Sequence, residues 1–272
     1  MLPYLTYVTF GTYMSDKRGV KRIFDDSEAR KIAVQAGKIP LVRFFDSYPE
    51  RYKSKDMRQK YGDEMIEIAL GGGYKGVVIN GAACSGLSDA FSEFIIEMRK
   101  KLMGNDLILL CEVDAESPAS FSEYADGSIL SYHKYAGEPS KDFNAGESAV
   151  LSGFACTGES AKAFIDLPAL ACCGEAFIGV QDVIDEARSC GGKIKNDELC
   201  KTSSFVGKCG EWHFTSLNAI KSIFELISEY DYSGVCFDIM RAPISHIMMY
   251  NACFKTAYGT NVRTREGCSR EV

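Results

Sequence analysis

Between Leu5 and Ile239 short β-rich runs alternate with helical patterns, and this alternation constrains the fold more than any other feature of the sequence. The strand-like runs are LTYVTF (5 to 10), IPLVRFF (39 to 45), GVVIN (76 to 80), DLILLCEV (106 to 113), GSILSYH (127 to 133), KAFIDLPAL (162 to 170) and SGVCFDI (233 to 239). Asp25-Asp26-Ser27-Glu28 caps a helix to Ala36, and a second runs from about Gly62 to Leu70 before the stop at Gly71-Gly72-Gly73. Ser85 or Ser88 opens a long helix with Phe91, Phe94, Ile95, Met98 and Leu102 on one face. Later helices are expected over 117 to 125, 180 to 190, 216 to 230 and 244 to 256. Strand followed by helix, repeated, means parallel strands with right-handed crossovers. The expected fold class is α/β, a TIM (β/α)8-type barrel, with seven strands legible and an eighth needed for closure.

One stretch breaks the rhythm. From Gly174 to Phe214 a helix is followed by GGKIKNDEL and SFVGKCGEWHF, whose Gly207 and Gly210 suit a hairpin, so a small α+β insertion is expected before the last strand. The expected organisation is one domain over 1 to 272 with this 174 to 214 subdomain inside it.

Composition excludes several classes of function. Apolar content of 46% contains no run near the roughly 20 residues that a bilayer span needs, so no membrane role is expected. The net charge of −6 argues against binding a phosphate backbone, and the basic run Arg99-Lys100-Lys101 ends a helix, where cations complement the dipole. The glycine run at 71 to 73 follows a helix and precedes a strand, the reverse of a phosphate loop, so no nucleotide cofactor is expected. Eleven scattered cysteines and an N-terminus without signal-peptide features place the chain in a reducing compartment, the cytoplasm. Cys190, Cys200, Cys209 and His213 have spacings unlike the usual zinc knuckles, so no metal is expected. Vicinal Cys172 and Cys173 read as small buried residues, and His213 and His246 as hydrogen-bonded or solvent-facing side chains.

The order FSEYADGSILSYHKY, AKAFIDLPAL, FIGVQDVIDEARSCGGKIKNDEL and EWHFTSLNAIKSIFELISEYDYSGVCFDI, preceded by PYLTYVTFGTYMSDKRG, resembles glycoside hydrolase family 18, the chitinase-like barrels. The nearest likeness is to the bacterial spore-cortex-lytic N-acetylglucosaminidases. The match begins at the family's second strand, which implies a first strand that is short or missing.

The family's catalytic motif, D-G-[VI]-[DN]-[IV]-D-[WF]-E, falls on Lys75 to Ala82. Val78, Asn80 and Ala82 stand at three of the motif's acidic positions, the last two of which carry the family chemistry. In that chemistry the final Glu protonates the glycosidic oxygen and the preceding Asp orients the substrate acetamide as nucleophile. An alanine cannot donate a proton and an asparagine cannot carry the compensating charge, so the resemblance implies a catalytically inactive protein. The family's M-x-Y-D corresponds to Leu130-Ser131-Tyr132-His133, and its G-[LI]-P-x-Y-G to Asp166-Leu167-Pro168-Ala169-Leu170-Ala171. The tryptophan that floors the sugar site is Asp238 here.

In such a barrel the C-terminal strand ends form the rim, here Arg43, Asp46, Asn80, Glu112, Asp114, Tyr132, His133, Asp238 and Arg241. The candidate ligand-binding residues are Arg43, Asn80, Glu112, Tyr132, His133 and Asp238. The resemblance implies a non-hydrolytic protein that binds an N-acetylglucosamine-containing or other glycan, associated with spore or cell wall. Two alternatives stand beside it: a glycosidase with a remodelled acid and base set drawn from Glu112, His133 and Asp238, and a structural scaffold with a protein partner.

Overall fold

The computed structural model describes residues 5–80, 88–114, 124–131, 162–174, 176–197 and 202–258. In chain order the elements of the first half are β1 (Tyr7–Asp16), β2 (Gly19–Arg22), α1 (Ser27–Gln35), β3 (Ile39–Asp46), α2 (Lys55–Gly71), β4 (Gly76–Asn80), α3 (Ser88–Met103) and β5 (Ile108–Asp114). There follow β6 (Gly127–Ser131), β7 (Ala163–Leu167), β8 (Leu170–Cys173), β9 (Ala176–Gly179), α4 (Val180–Cys190), β10 (Lys195–Asp197), β11 (Thr202–Gly207) and β12 (Gly210–Phe214). The last three are α5 (Leu217–Glu229), β13 (Gly234–Phe237) and α6 (Ile244–Tyr258).

The main sheet has the order β13-β7-β6-β5-β4-β3-β1-β2. Every pairing in it is parallel except β1 with β2, an antiparallel hairpin. Seven parallel strands in nearly sequential order match the alternation in the sequence. Among the described residues no strand joins β13 to β1.

Strand alternation divides the side chains into two sets. Val42, Phe44, Val77, Ile79, Leu109, Cys111, Ile165 and Leu167 pack outward against the helices in the large core. Leu41, Val78, Leu110 and Ile129 form a separate inner cluster, with Tyr7, Phe164 and Cys236 against it. Two distinct apolar clusters on the two faces of one parallel sheet are what a barrel produces, a filled interior inside a helical jacket.

The helices follow their apolar stripes. Phe91, Phe94, Ile95, Met98 and Leu102 of α3 are all buried, and Phe94 meets Tyr52 and Tyr61 at ring centroid distances of 4.9 and 5.7 Å. α2 begins at Lys55, seven residues before the expected Gly62, because the Ser54 hydroxyl accepts from the Met57 amide and caps the helix there. β1 also outruns its expected end at Phe10 and turns back through Gly19, whose φ of 124° suits glycine alone. Of Asp25-Asp26-Ser27-Glu28, expected to cap α1, Asp25 accepts from the Ser27 amide at 3.0 Å, whereas Asp26 makes no side-chain cap bond. Its buried carboxylate accepts from Thr12 Oγ1 at 3.0 Å, the Tyr74 hydroxyl at 2.5 Å and Arg30 at 2.8 Å, tying β1, α1 and the approach to β4 together.

The expected strand 162 to 170 divides at Pro168, which has no N–H for a ladder: β7 stays in the barrel and β8 enters a second sheet. That five-stranded sheet, in the order β10-β11-β12-β8-β9, runs from Leu170 to Phe214. It has its own core, in which Val180, Val183 and Ala187 of α4 pack on Ala171, Phe205, Trp212 and Phe214. His213 is buried in β12, opposite Ser204 and Cys172. The expected helix over 117 to 125 lies mostly outside the described residues.

Candidate functional site

Two residues beyond each inner apolar side chain, in the C-terminal direction, stands a polar one. Leu41 is followed by Arg43, Val78 by Asn80, Leu110 by Glu112, Ile129 by Ser131 and Phe164 by Asp166. Residues two apart on a strand share a face, so these five line the barrel interior as a polar tier above the apolar one. Register joins neighbours within it: Asn80 pairs with Glu112 across β4 and β5. Asp238 follows the last residue of β13, two positions after the inward Cys236.

An ion pair anchors the tier. The Arg43 Nη2 donates to Glu112 Oε2 at 2.6 Å, with Glu112 only 12% exposed and Arg43 32% exposed. The Arg43 guanidinium also lies 4.6 Å from the Phe45 ring centroid, and its buried Nε has no hydrogen-bond partner among the described residues. Burial pushes the Glu112 carboxyl above the usual carboxylate range, although Arg43 opposes the rise. Asp166 is pushed up to about 7, first by burial and then by the Glu112 and Asp238 carboxylates, again against Arg43. With Asp238 at the rim, the tier holds one guanidinium, three carboxyl groups, a hydroxyl and an amide. Such a surface donates and accepts hydrogen bonds in several directions, as polyhydroxylated ligands require.

The structure brings the candidate residues Arg43, Asn80 and Glu112 together, and it places Val78 below them in the apolar tier. Asp238 is at the rim, its carboxylate accepting from the Met240 amide at 3.0 Å and lying 3.6 Å from the exposed Arg241. Asp46 is withdrawn from the site: it accepts from Ser15 at 2.9 Å, the Tyr48 amide at 2.8 Å and the Tyr52 hydroxyl at 2.5 Å. Ala82, Tyr132, His133 and the Asp114 side chain lie outside the described residues. Asp166 is the group that sequence reasoning passed over. It was matched to a family glycine, whereas its place two residues after the inward Phe164 was the signal that could have found it.

The other histidine expectation is corrected. His246 is not solvent-facing, being fully buried, and among the described residues neither ring nitrogen has a hydrogen-bond partner; burial lowers its pKa to about 4. Among the described residues no three His, Cys, Asp or Glu side chains are grouped to hold a metal, and Cys200 is outside them. No helix among them is long and apolar enough to cross a membrane.

No protein-family model and no curated protein matches this chain. Solved structures do. A chitinase from Chromobacterium violaceum superposes with a TM-score of 0.77 at 15% identity, covering 94% of this chain and 92% of that one. The spore cortex-lytic enzyme SleL of Bacillus megaterium gives 0.73 at 14% identity, over 92% of this chain and 68% of SleL. The glycoside hydrolase family 18 chitinase of Cycas revoluta, solved in complex with (GlcNAc)3, gives 0.74 at 12% identity, over 95% and 94% of the two chains. This chain has the fold of the family 18 chitinases. Within that chitinase fold the polar tier occupies the C-terminal ends of the parallel strands, the end at which barrels of this class carry their sites.

Proposed function

We propose that this protein is a chitinase-like barrel that binds an N-acetylglucosamine-containing glycan in the polar tier without cleaving it by the family 18 route. The observation that carries the reading is the tier itself: an Arg43–Glu112 ion pair beside Asn80, partly open to solvent, at the strand ends of a chitinase fold. Asn80 offers both an amide donor and a carbonyl acceptor, the complement of an acetamide group. At the position of the proton donor the sequence has Ala82. The absent donor alone removes a factor of about 10²–10⁴ in rate. Spore cortex-lytic relatives in fold support a wall or spore glycan as the ligand class.

The test pairs calorimetry with a turnover assay on chitobiose-type and muropeptide-type reporters. Binding of N-acetylglucosamine oligomers that is lost in Asn80→Ala, with no reporter release, is the expected outcome. A second reading is favoured by Asp166, whose carboxyl is raised to about 7 by burial and by the field of the Glu112 carboxylate two strands away, a pairing suited to general acid and base. Reporter release that disappears in both Asp166→Asn and Glu112→Gln would establish that reading and overturn the non-hydrolytic one.

A further inference from the structure

The second sheet carries two turns close together. β11 and β12 are joined through Lys208 and Cys209, between the paired Gly207 and Gly210. β8 passes into β9 straight after Cys173, which pairs with Ala176 across that turn. Because β8 lies beside β12, the two turns bring their cysteines to one place, although they stand 36 residues apart in the chain. Cys173 Sγ donates to the Cys209 carbonyl oxygen at 3.4 Å, and a Cβ on Gly210 would stand 3.0 Å from the same sulfur.

Pleating separates the two members of the vicinal pair. Cys172 is buried, opposite His213 on β12. Cys173 shares a face with Ala171 and packs at the margin of the subdomain core, where it stays partly exposed. Cys209 is exposed, and the neighbouring Lys208 amide donates to Glu186 of α4 at 2.9 Å, which holds the turn against the helix. Cys190, the other exposed thiol among the described residues, is turned back on its own helix and donates to the Ala187 carbonyl at 3.6 Å. Among the described residues no third ligand joins Cys173 and Cys209 to make a metal site.

We propose that Cys173 and Cys209 form a reversible disulfide that cross-links the two turns when a small-molecule disulfide such as glutathione disulfide is in excess. The exposed Cys209 reacts first. Its thiolate attacks one sulfur of glutathione disulfide, forming a mixed disulfide and releasing a glutathione thiolate, which takes up the proton that Cys209 lost. Cys173 then gives its proton to solvent, and its thiolate attacks Cys209 Sγ, closing the bond between the two residues and expelling a second glutathione thiolate, which is protonated from solvent. Two protein thiols are oxidised, and one glutathione disulfide is reduced to two glutathiones. Burial and then the charge of the nearby Cys209 raise the Cys173 thiol above its ordinary value, which suits a group that resolves a mixed disulfide better than one that attacks first. A link at the surface is open to reduction again, the behaviour of a transient disulfide in a reducing compartment.

The test incubates the full chain with glutathione disulfide, blocks the remaining thiols with an alkylating agent and maps the disulfides by mass spectrometry. A peptide pair joining Cys173 to Cys209 is expected as the main cross-link, lost on adding reduced glutathione. Its yield is expected to fall at least about tenfold when the chain is oxidised in urea, because folding is what holds the two thiols together. In Cys173→Ser, Cys209 is expected to accumulate as its mixed disulfide with glutathione. A Cys209 that stays reduced, or that persists as the mixed disulfide in the unsubstituted chain, overturns the proposal. So does a cross-link from either residue to Cys172, Cys190 or Cys200, and so do equal yields of the 173–209 pair in the native and urea-unfolded chains.

Discussion

Replacing Asp166 by Asn isolates the electrostatic claim about the polar tier. In the folded protein the Asp166 carboxyl is raised from 3.8 to about 7 by burial and by its carboxylate neighbours. A raised acid favours folding where it is protonated, so its contribution is complete below the unfolded value and is lost as pH rises through the folded one. A rise from 3.8 to about 7 corresponds to about 4 kcal/mol in all, of which about 2.5 kcal/mol falls between pH 5 and pH 8. Asp166 keeps partial contact with solvent, so screening reduces this to about 2 kcal/mol. His246 acts in the opposite sense: its lowered value favours the neutral ring, so its contribution is present above 6.5 and lost as pH falls towards 4. Subtracting the two proteins cancels His246. Urea unfolding at pH 5 and pH 8 is expected to show Asp166→Asn gaining about 2 kcal/mol on the unsubstituted chain over that interval, or roughly 4–8 °C in Tm. Parallel stability curves for the two proteins would refute the burial argument and the placement of Asp166 in the tier.

Other substitutions test the frame around the site. Arg43→Met strands the Glu112 carboxylate in its buried position and is expected to cost about 2 kcal/mol at pH 7 and less at pH 4, where Glu112 takes up a proton; chemical denaturation at the two pH values checks it. Asp26→Asn leaves Thr12, Tyr74 and Arg30 with a weaker acceptor and is expected to cost about 3 kcal/mol, measured by the urea midpoint. Gly76→Ala places a Cβ 2.5 Å from the carbonyl oxygen of Ile108, its register partner on β5, and is expected to cost about 2 kcal/mol with an unchanged denaturant slope.

The barrel was legible because its signal is repeated. Each strand run, from Ile39 to Asp46 through Gly234 to Phe237, is short, and errors at one boundary do not disturb the order. The boundaries that were misread turn on single contacts. α2 starts at Ser54 because of one capping hydroxyl, and Asp26 serves a buried network in place of a cap. Arg43, Asn80 and Glu112 could be found from the rule that strand ends face the site. Asp46 obeys the same rule in sequence, yet its carboxylate is captured by Ser15 and Tyr52, whose approach depends on chain 31 and 6 residues away. Asp166 was obscured by an alignment to a family glycine, although the two-residue spacing from Phe164 was visible. The unpartnered nitrogens of His246 had no sequence signal, since burial of that face of α6 is a tertiary property.

Titration calorimetry with N-acetylglucosamine oligomers, followed by product analysis of the same samples by mass spectrometry, tests the central claim most directly. The account predicts saturable binding that is lost in Asn80→Ala and oligomers recovered intact. Shortened oligomers, or heats that are unchanged when Asn80 is removed, would contradict it.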